Sequence, residues 1–116
     1  MRVKATREGL IGGRTASGYV VDKVVPFVAL PSRRALRRAV RVINPENGKS
    51  IVAIVLDVGP WNEQDDAYVF EGQRPAAENG KSVSGHGTNG AGIDLSEAVW
   101  QALDMRGNTV VDWFFV

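Results

Sequence analysis

The chain has 116 residues, 44% hydrophobic and 23% charged, which is the size and balance of one globular domain rather than a disordered segment. Without a cysteine it can form neither a disulfide framework nor a thiolate metal site, and its net charge of +1 demands no anionic partner. Its longest apolar runs, such as Ser50 to Val58, are strand-sized and too short to span a bilayer.

In chain order, Arg2 to Thr6 alternates apolar and polar residues and predicts a first strand. Gly9, Gly12, Gly13 and Gly18 then predict an irregular loop. Val20 to Leu30 is β-branched and aromatic but broken by Pro26, so one or two short strands are expected. Ser32 can cap a single helical turn bearing Arg33, Arg34, Arg37 and Arg38, which with Arg41 form a basic run. Such a run is usually a solvated face; a glycan strand or other anionic polymer is the functional alternative, and nucleic acid is disfavoured by the balanced charge.

Ala39 to Ile43 and Ser50 to Asp57 predict a hairpin, with Asn47-Gly48 supplying the tight turn. Ile51 to Leu56 is apolar on both faces, so cover on both sides is expected, as in a small closed barrel. Gly59-Pro60 ends the strand. Residues 61 to 92 then read as one long polar loop, a feature that is commonly functional. Asp94-Leu95-Ser96-Glu97 has capping-box spacing, with Asp94 as N-cap. Leu95, Val99, Ala102 and Leu103 would form the apolar face of the helix, and Gly107 its stop. Thr109 to Val116 predicts a closing strand. Mostly strands with one helix and no repeat make this a single mainly β domain over residues 1–116.

Three segments in order carry a family resemblance: Gly13-Arg14-Thr15-Ala16-Ser17-Gly18, then Val55-Leu56-Asp57-Val58-Gly59-Pro60-Trp61, then Ile93-Asp94-Leu95-Ser96. Together with the 40–50 hairpin and Leu30-Pro31, the chain from Ala5 onward resembles the rare lipoprotein A family of double-psi β-barrels, relatives of the expansins. The resemblance implies a six-stranded double-psi β-barrel with a groove on one face. It also implies action on, or binding to, a cell-wall glycan, with peptidoglycan as the expected polymer and no cofactor.

By the same resemblance, Asp94 matches the catalytic acid of the enzymatic relatives and Asp57 the aspartate expected across the groove. Asp22 falls where active members carry a further aspartate. Two positions depart from the pattern: Tyr19 stands where the family has glutamate, and its histidine position falls near Phe27. Each site residue also has a bland alternative. Asp94 can be a helix cap, and Asp57 can serve the Gly59-Pro60 turn. Trp61 and Tyr68 can stack on sugar rings or pack the loop, whereas Trp100 and Trp113 fall within regular elements and are expected in the core. Arg14, Ser17, Tyr19 and the lone His86 complete the candidate substrate contacts. Ser17 is no triad nucleophile, and with one histidine and no cysteine no metal site is expected.

Three functions follow as expectations: lytic transglycosylase-like cleavage, an expansin-like binding module without catalysis, or a structural or virion-associated barrel. Met1-Arg2-Val3-Lys4 is not followed by an apolar core, so no signal peptide is legible. A cell-envelope or secreted location would require a trimmed leader; the alternative is a cytoplasmic or phage-associated one.

Overall fold

The structure, a computed structural model, describes residues 1–106 and 109–116. Six strands close into a barrel: β1 (Arg2–Arg7), β2 (Phe27–Leu30), β3 (Ala39–Ile43), β4 (Ser50–Val58), β5 (Ile93–Leu95) and β6 (Val110–Phe115). Their order around the barrel is β1-β5-β2-β4-β3-β6. Two pairs are parallel, β1 with β5 and β2 with β4, and the other four are antiparallel. Exchanging β1-β2-β3 for β4-β5-β6 reproduces both the order and the sense of every pair. The barrel thus has an internal two-fold, and closure leaves no strand edge exposed to pair with another chain.

Alternation places one face of each strand in the core. Val3 and Ala5 of β1, Val28 and Leu30 of β2, Val40 and Val42 of β3, Ala53 and Val55 of β4, and Ile93 and Leu95 of β5 all point inward and are buried. The β3–β4 hairpin turns at residues 44–49, where Gly48 takes the positive φ of 76° that the tight return requires. The expectation that β4 is covered on both sides fails at Val52, which is 41% exposed, because that part of the outer face meets only solvent. Of Val20 to Leu30, only Phe27–Leu30 is a strand; Val20 joins Arg14 in an isolated bridge within the glycine loop.

Residues 61–92 are not a bare loop. They contain helix α1 (Asp66–Glu71) and a 3-10 turn (Ala76–Asn79), each ended by a glycine in the left-handed region, Gly72 and Gly80. Helix α1 is anchored by Tyr68, which is fully buried. Its hydroxyl donates to Gly92 O (2.9 Å) and accepts from Trp113 Nε1 (2.7 Å). Tyr68 is therefore a core residue and no sugar platform. Tyr68→Phe should lower unfolding free energy by about 1–3 kcal/mol in urea titrations, since it strands a buried carbonyl and a buried indole N–H together.

The second helix, α2 (Glu97–Ala102), begins two residues later than the capping-box spacing suggests. Ser96 is its N-cap, accepting from Val99 N at 3.3 Å, and Ser96 Oγ also accepts from Phe27 N at 3.0 Å. Asp94 lies in strand β5 and caps nothing. Within the expected apolar face Val99 and Leu103 are buried, Leu95 belongs to β5, and Ala102 is exposed. The expected stop at Gly107 lies outside the described residues. Trp113 is in the core, while Trp100 is half-buried beneath Arg7.

The basic run makes its contacts within the fold, two of them ion pairs. Ser32 precedes a 3-10 turn (Arg33–Ala35) but makes no side-chain cap; its hydroxyl donates to Asp66. Arg33 pairs with Glu63 and Arg34 with Asp66, while Arg38 lies over Phe115 and Phe70. Arg37 donates to Ser17 O and Arg41 to Ser50. Arg33, Arg34 and Arg38 thus tie residues 63–70 to the barrel, while Arg37 and Arg41 are held by neutral oxygens. Among the described residues no helix is long and apolar enough to cross a membrane.

Candidate functional site

On the outer face of the barrel, four adjacent strands bring Thr6, Asp94, Ala29 and Asp57 into one row. Thr6 pairs with Asp94, Asp94 with Ala29, and Ala29 with Asp57. Asp94 alternates with inward-facing Ile93 and Leu95, so its side chain leaves the barrel on the outer face.

Asp57 reaches that face by a different route. Val55 points into the core, and simple alternation would send Asp57 there too. The β2–β4 register shifts between Val28 and Ala29, adding one residue, Leu56, to β4. That bulge reverses the phase and turns Asp57 outward. Ala29 separates the two aspartates with the smallest side chain that still fills a strand, leaving their backbones two strand spacings, roughly 10 Å, apart.

The residues that follow β1 roof this row. Between Gly12 and Val21 the chain folds back on itself through hydrogen bonds Gly12 N to Val21 O, Val21 N to Gly13 O and Thr15 N to Tyr19 O. The tip of that loop docks on β4: Ala16 N donates to Asp57 Oδ1 (2.9 Å) and Ser17 N to Leu56 O (3.2 Å). Asp57 Oδ1 also accepts from Val58 N, so its backbone partners are Ala16 and Val58 rather than the Gly59-Pro60 turn. The motif Thr15-Ala16-Ser17 and the aspartate of β4 are two halves of one contact.

Sequence reasoning missed a third acid. Glu8, one residue beyond β1, continues the strand through a hydrogen bond from its N–H to Leu95 O (2.7 Å) and shares the face of Thr6. It is only 8% exposed, and its Oε2 is buried without a hydrogen-bond partner. Burial, then a hydrogen bond and the charge of Asp57, then the charge of Asp94, push its pKa up to about 9. Asp94 is raised to about 6, chiefly by burial and further by the charge of Asp57, against the hydrogen bond that Thr6 Oγ1 donates to it. The environment therefore separates these carboxyl groups: near neutral pH Glu8 is a neutral acid, and Asp94 exchanges its proton in the range useful for general acid catalysis. Among the described residues no group of three or more histidines, cysteines, aspartates or glutamates is arranged to hold a metal ion.

The remaining expected residues lie elsewhere. Asp22 is exposed and takes Val24 N and Val25 N on its Oδ1, and these bonds hold its pKa below the usual range. It shapes the exit of the glycine loop rather than meeting the acids. Tyr19 packs edge-on against Phe27 at 5.8 Å, and Phe27 is wholly buried, so the two positions where the resemblance expects glutamate and histidine hold an aromatic pair that anchors the loop. Arg14 donates to Gly18 O and Ser17 Oγ meets Thr15 Oγ1, both within the loop. His86 is exposed in the Ser82–His86 turn, its backbone N–H donating to Ser82 Oγ. Trp61 is 43% exposed, its Nε1 held by Asn89 Oδ1 at 3.0 Å. It borders a cleft of about 470 Å³ formed with residues 62–65, Ala76, Val83 and Ser84, which includes none of the three acids.

Comparison with solved structures finds a fold likeness to the Streptomyces papain inhibitor (SPI), with a TM-score of 0.57 and 22% identity over all of this chain and 93% of that one. At that identity the likeness establishes a shared barrel and nothing about activity. No curated protein matches the chain. A family model described as a domain of unknown function (DUF8814) matches residues 1–83, which include β1, the docked glycine loop, Glu8 and Asp57. The chain belongs to this DUF8814 family.

Proposed function

We propose that this domain cleaves a cell-wall glycan, with peptidoglycan as the polymer, by lytic transglycosylase-like chemistry in the groove roofed by the glycine loop. The observation that carries the reading is the half-buried Asp94, raised to about 6 beside Asp57 and Glu8. The resemblance to rare lipoprotein A barrels at the three motif segments supports it. Protonated Asp94 gives its proton to the glycosidic oxygen as the C–O bond breaks. A hydroxyl of the same sugar then attacks the developing cation and returns its proton to Asp94, so one acid/base suffices and no water is consumed. Asp57, fixed by Ala16 and Val58 N–H groups, supplies the negative charge that raises Asp94 and favours the cationic transition state. Glu8, neutral near pH 7, adds no further charge to the site.

The test is incubation of the purified domain with peptidoglycan, with mass spectrometry of the soluble fraction. Anhydro-ended fragments are expected. Fragments heavier by one water would replace transglycosylation with hydrolysis.

A second reading, a binding module without catalysis, is favoured by the exposed apolar side chains of Leu10, Ile11, Val20 and Val24 on the glycine loop. A papain inhibitor on the same barrel is in keeping with that reading. Sedimentation of the domain with insoluble wall, with no soluble product, would select it.

A further inference from the structure

Beyond the Trp61 cleft, the exposed large apolar side chains of the described residues fall into two groups. One lies on the glycine loop, where Leu10, Ile11 and Val20 are half exposed and Val24 is 78% exposed. Hydrogen bonds joining Gly12 and Gly13 to Val21 hold the two arms of this loop together. Asp22 is exposed among these side chains, its carboxylate fixed by Val24 N and Val25 N. Of the cations nearby, Lys23 lies close enough to Glu97 to help hold that acid ionised, and Arg14 is turned onto Gly18 O. The other group lies on the outer face of β3, β4 and β6. Strand register sets Phe114 beside Arg41 and Arg41 beside Val52. Phe114 is 48% exposed and Val52 41%; Val116, on the same side as Phe114, is 71% exposed. Arg41 stands between them and donates to Ser50 Oγ at 3.3 Å. No carboxylate among the described residues pairs with it, and Asp112 in the next row is taken by Arg2.

Exposed apolar side chains gathered around a single charge have the make-up of an interaction surface. The charges decide which surface meets which. Pairing two strand faces sets Arg41 against the Arg41 of a second copy, and pairing two loops sets Asp22 against Asp22. Each brings like charges together in apolar surroundings, which works against association. A loop on a strand face instead brings Asp22 to Arg41. Within one molecule the two patches cannot meet: Val52 and Asp57, where the loop docks, stand five residues apart on β4, roughly 17 Å. We propose that copies of this chain associate head to tail, the glycine-loop patch of one seated on the β3–β4–β6 face of the next, with Asp22 paired to Arg41. The closed barrel offers no strand edge, so the contact runs through side chains. It uses a different patch on each partner and therefore closes into rings or runs on as filaments. The association stands independently of the glycan reading, and either can fail without the other.

The test is sedimentation velocity of the purified chain between about 10 μM and about 1 mM. The average mass of the wild type should climb with concentration. Val24→Asp and Phe114→Asp, both at exposed positions, should each weaken association at least about tenfold. The first variant keeps its strand face and the second its loop patch, so a one-to-one mixture should form a complex of two copies and nothing larger. Arg41→Asp and Asp22→Arg should each fall back to monomer alone and assemble when mixed, because both contacts then pair opposite charges. Should an aspartate variant at Val24 or Phe114 fail to fold, this charge-reversed pair decides the same question. A wild type that stays monomeric at about 1 mM would overturn the proposal, as would folded variants that stay monomeric on mixing. Association that survives Val24→Asp or Phe114→Asp undiminished would also overturn it, since like faces would then be meeting.

Discussion

Asp94→Asn should reduce release of anhydro-ended fragments by about 1,000-fold while leaving the domain folded and still able to sediment with wall material. The magnitude is that of losing a general acid which must also return as base. The substitution is close to isosteric, and Thr6 Oγ1 can still donate to the oxygen that remains. Ile93 and Leu95 on either side keep their places in the core, and a neutral amide costs less to half-bury than a carboxylate. The pH profile gives an independent check. With Asp94 near 6, the wild-type rate should be almost maximal at pH 5 and fall about tenfold per unit above pH 7, as the protonated fraction falls. A rate that rises from pH 6 to pH 8, or a variant as active as wild type, would remove Asp94 from the chemistry.

The same residues show where sequence reading works and where it stops. Strand β1 is legible because it alternates, β4 as an apolar run, β6 as an aromatic and β-branched one, and the β3–β4 hairpin because Asn47-Gly48 marks its turn. The resemblance expects Asp57 and Asp94 near each other, and strand register sets both beside Ala29 on one outer face, while the helix-cap alternative for Asp94 gives way to its place in β5. Ser96 also stands three residues before a helical N–H, and Ile93-Asp94-Leu95 is too short a strand to announce itself against a strong capping pattern. The outward turn of Asp57 depends on a bulge at Leu56 that no periodicity predicts. Tyr68 looked like a loop aromatic because helix α1 has only six residues, and its burial comes from Trp113 on a strand 45 positions away. Glu8 was invisible for a related reason. Nothing in Arg7-Glu8-Gly9 marks burial, which arises where the chain beyond β1 comes close to Asp57 and Asp94 from distant strands.

Glu8→Gln gives the other large effect, and its sign follows from the raised pKa. In the unfolded chain Glu8 titrates near its ordinary 4.5, and in the folded domain near 9. Between these values the folded state holds a proton that the unfolded state has released, so stability falls as pH rises through this window and levels off above about 9. Glutamine cannot ionise and should abolish that loss. The variant and wild type are expected to match near pH 4.5 and to differ by about 2–4 kcal/mol at pH 9, with glutamine the more stable, in urea unfolding monitored by tryptophan fluorescence. Glu97, lowered to about 2 by its pair with Arg7, titrates below this window and does not blur the comparison. Asp94 contributes a loss of the same sign in both proteins, over by about pH 6. The same variant separates two roles for the third acid. If Glu8 works as a neutral group beside Asp57, glutamine should keep wall cleavage at pH 5–6 within about threefold of wild type. A fall of 100-fold or more there, with the stability gain at pH 9 intact, would instead make Glu8 a proton carrier in the reaction, because the amide preserves its shape and neutrality and removes only its capacity to give or take a proton.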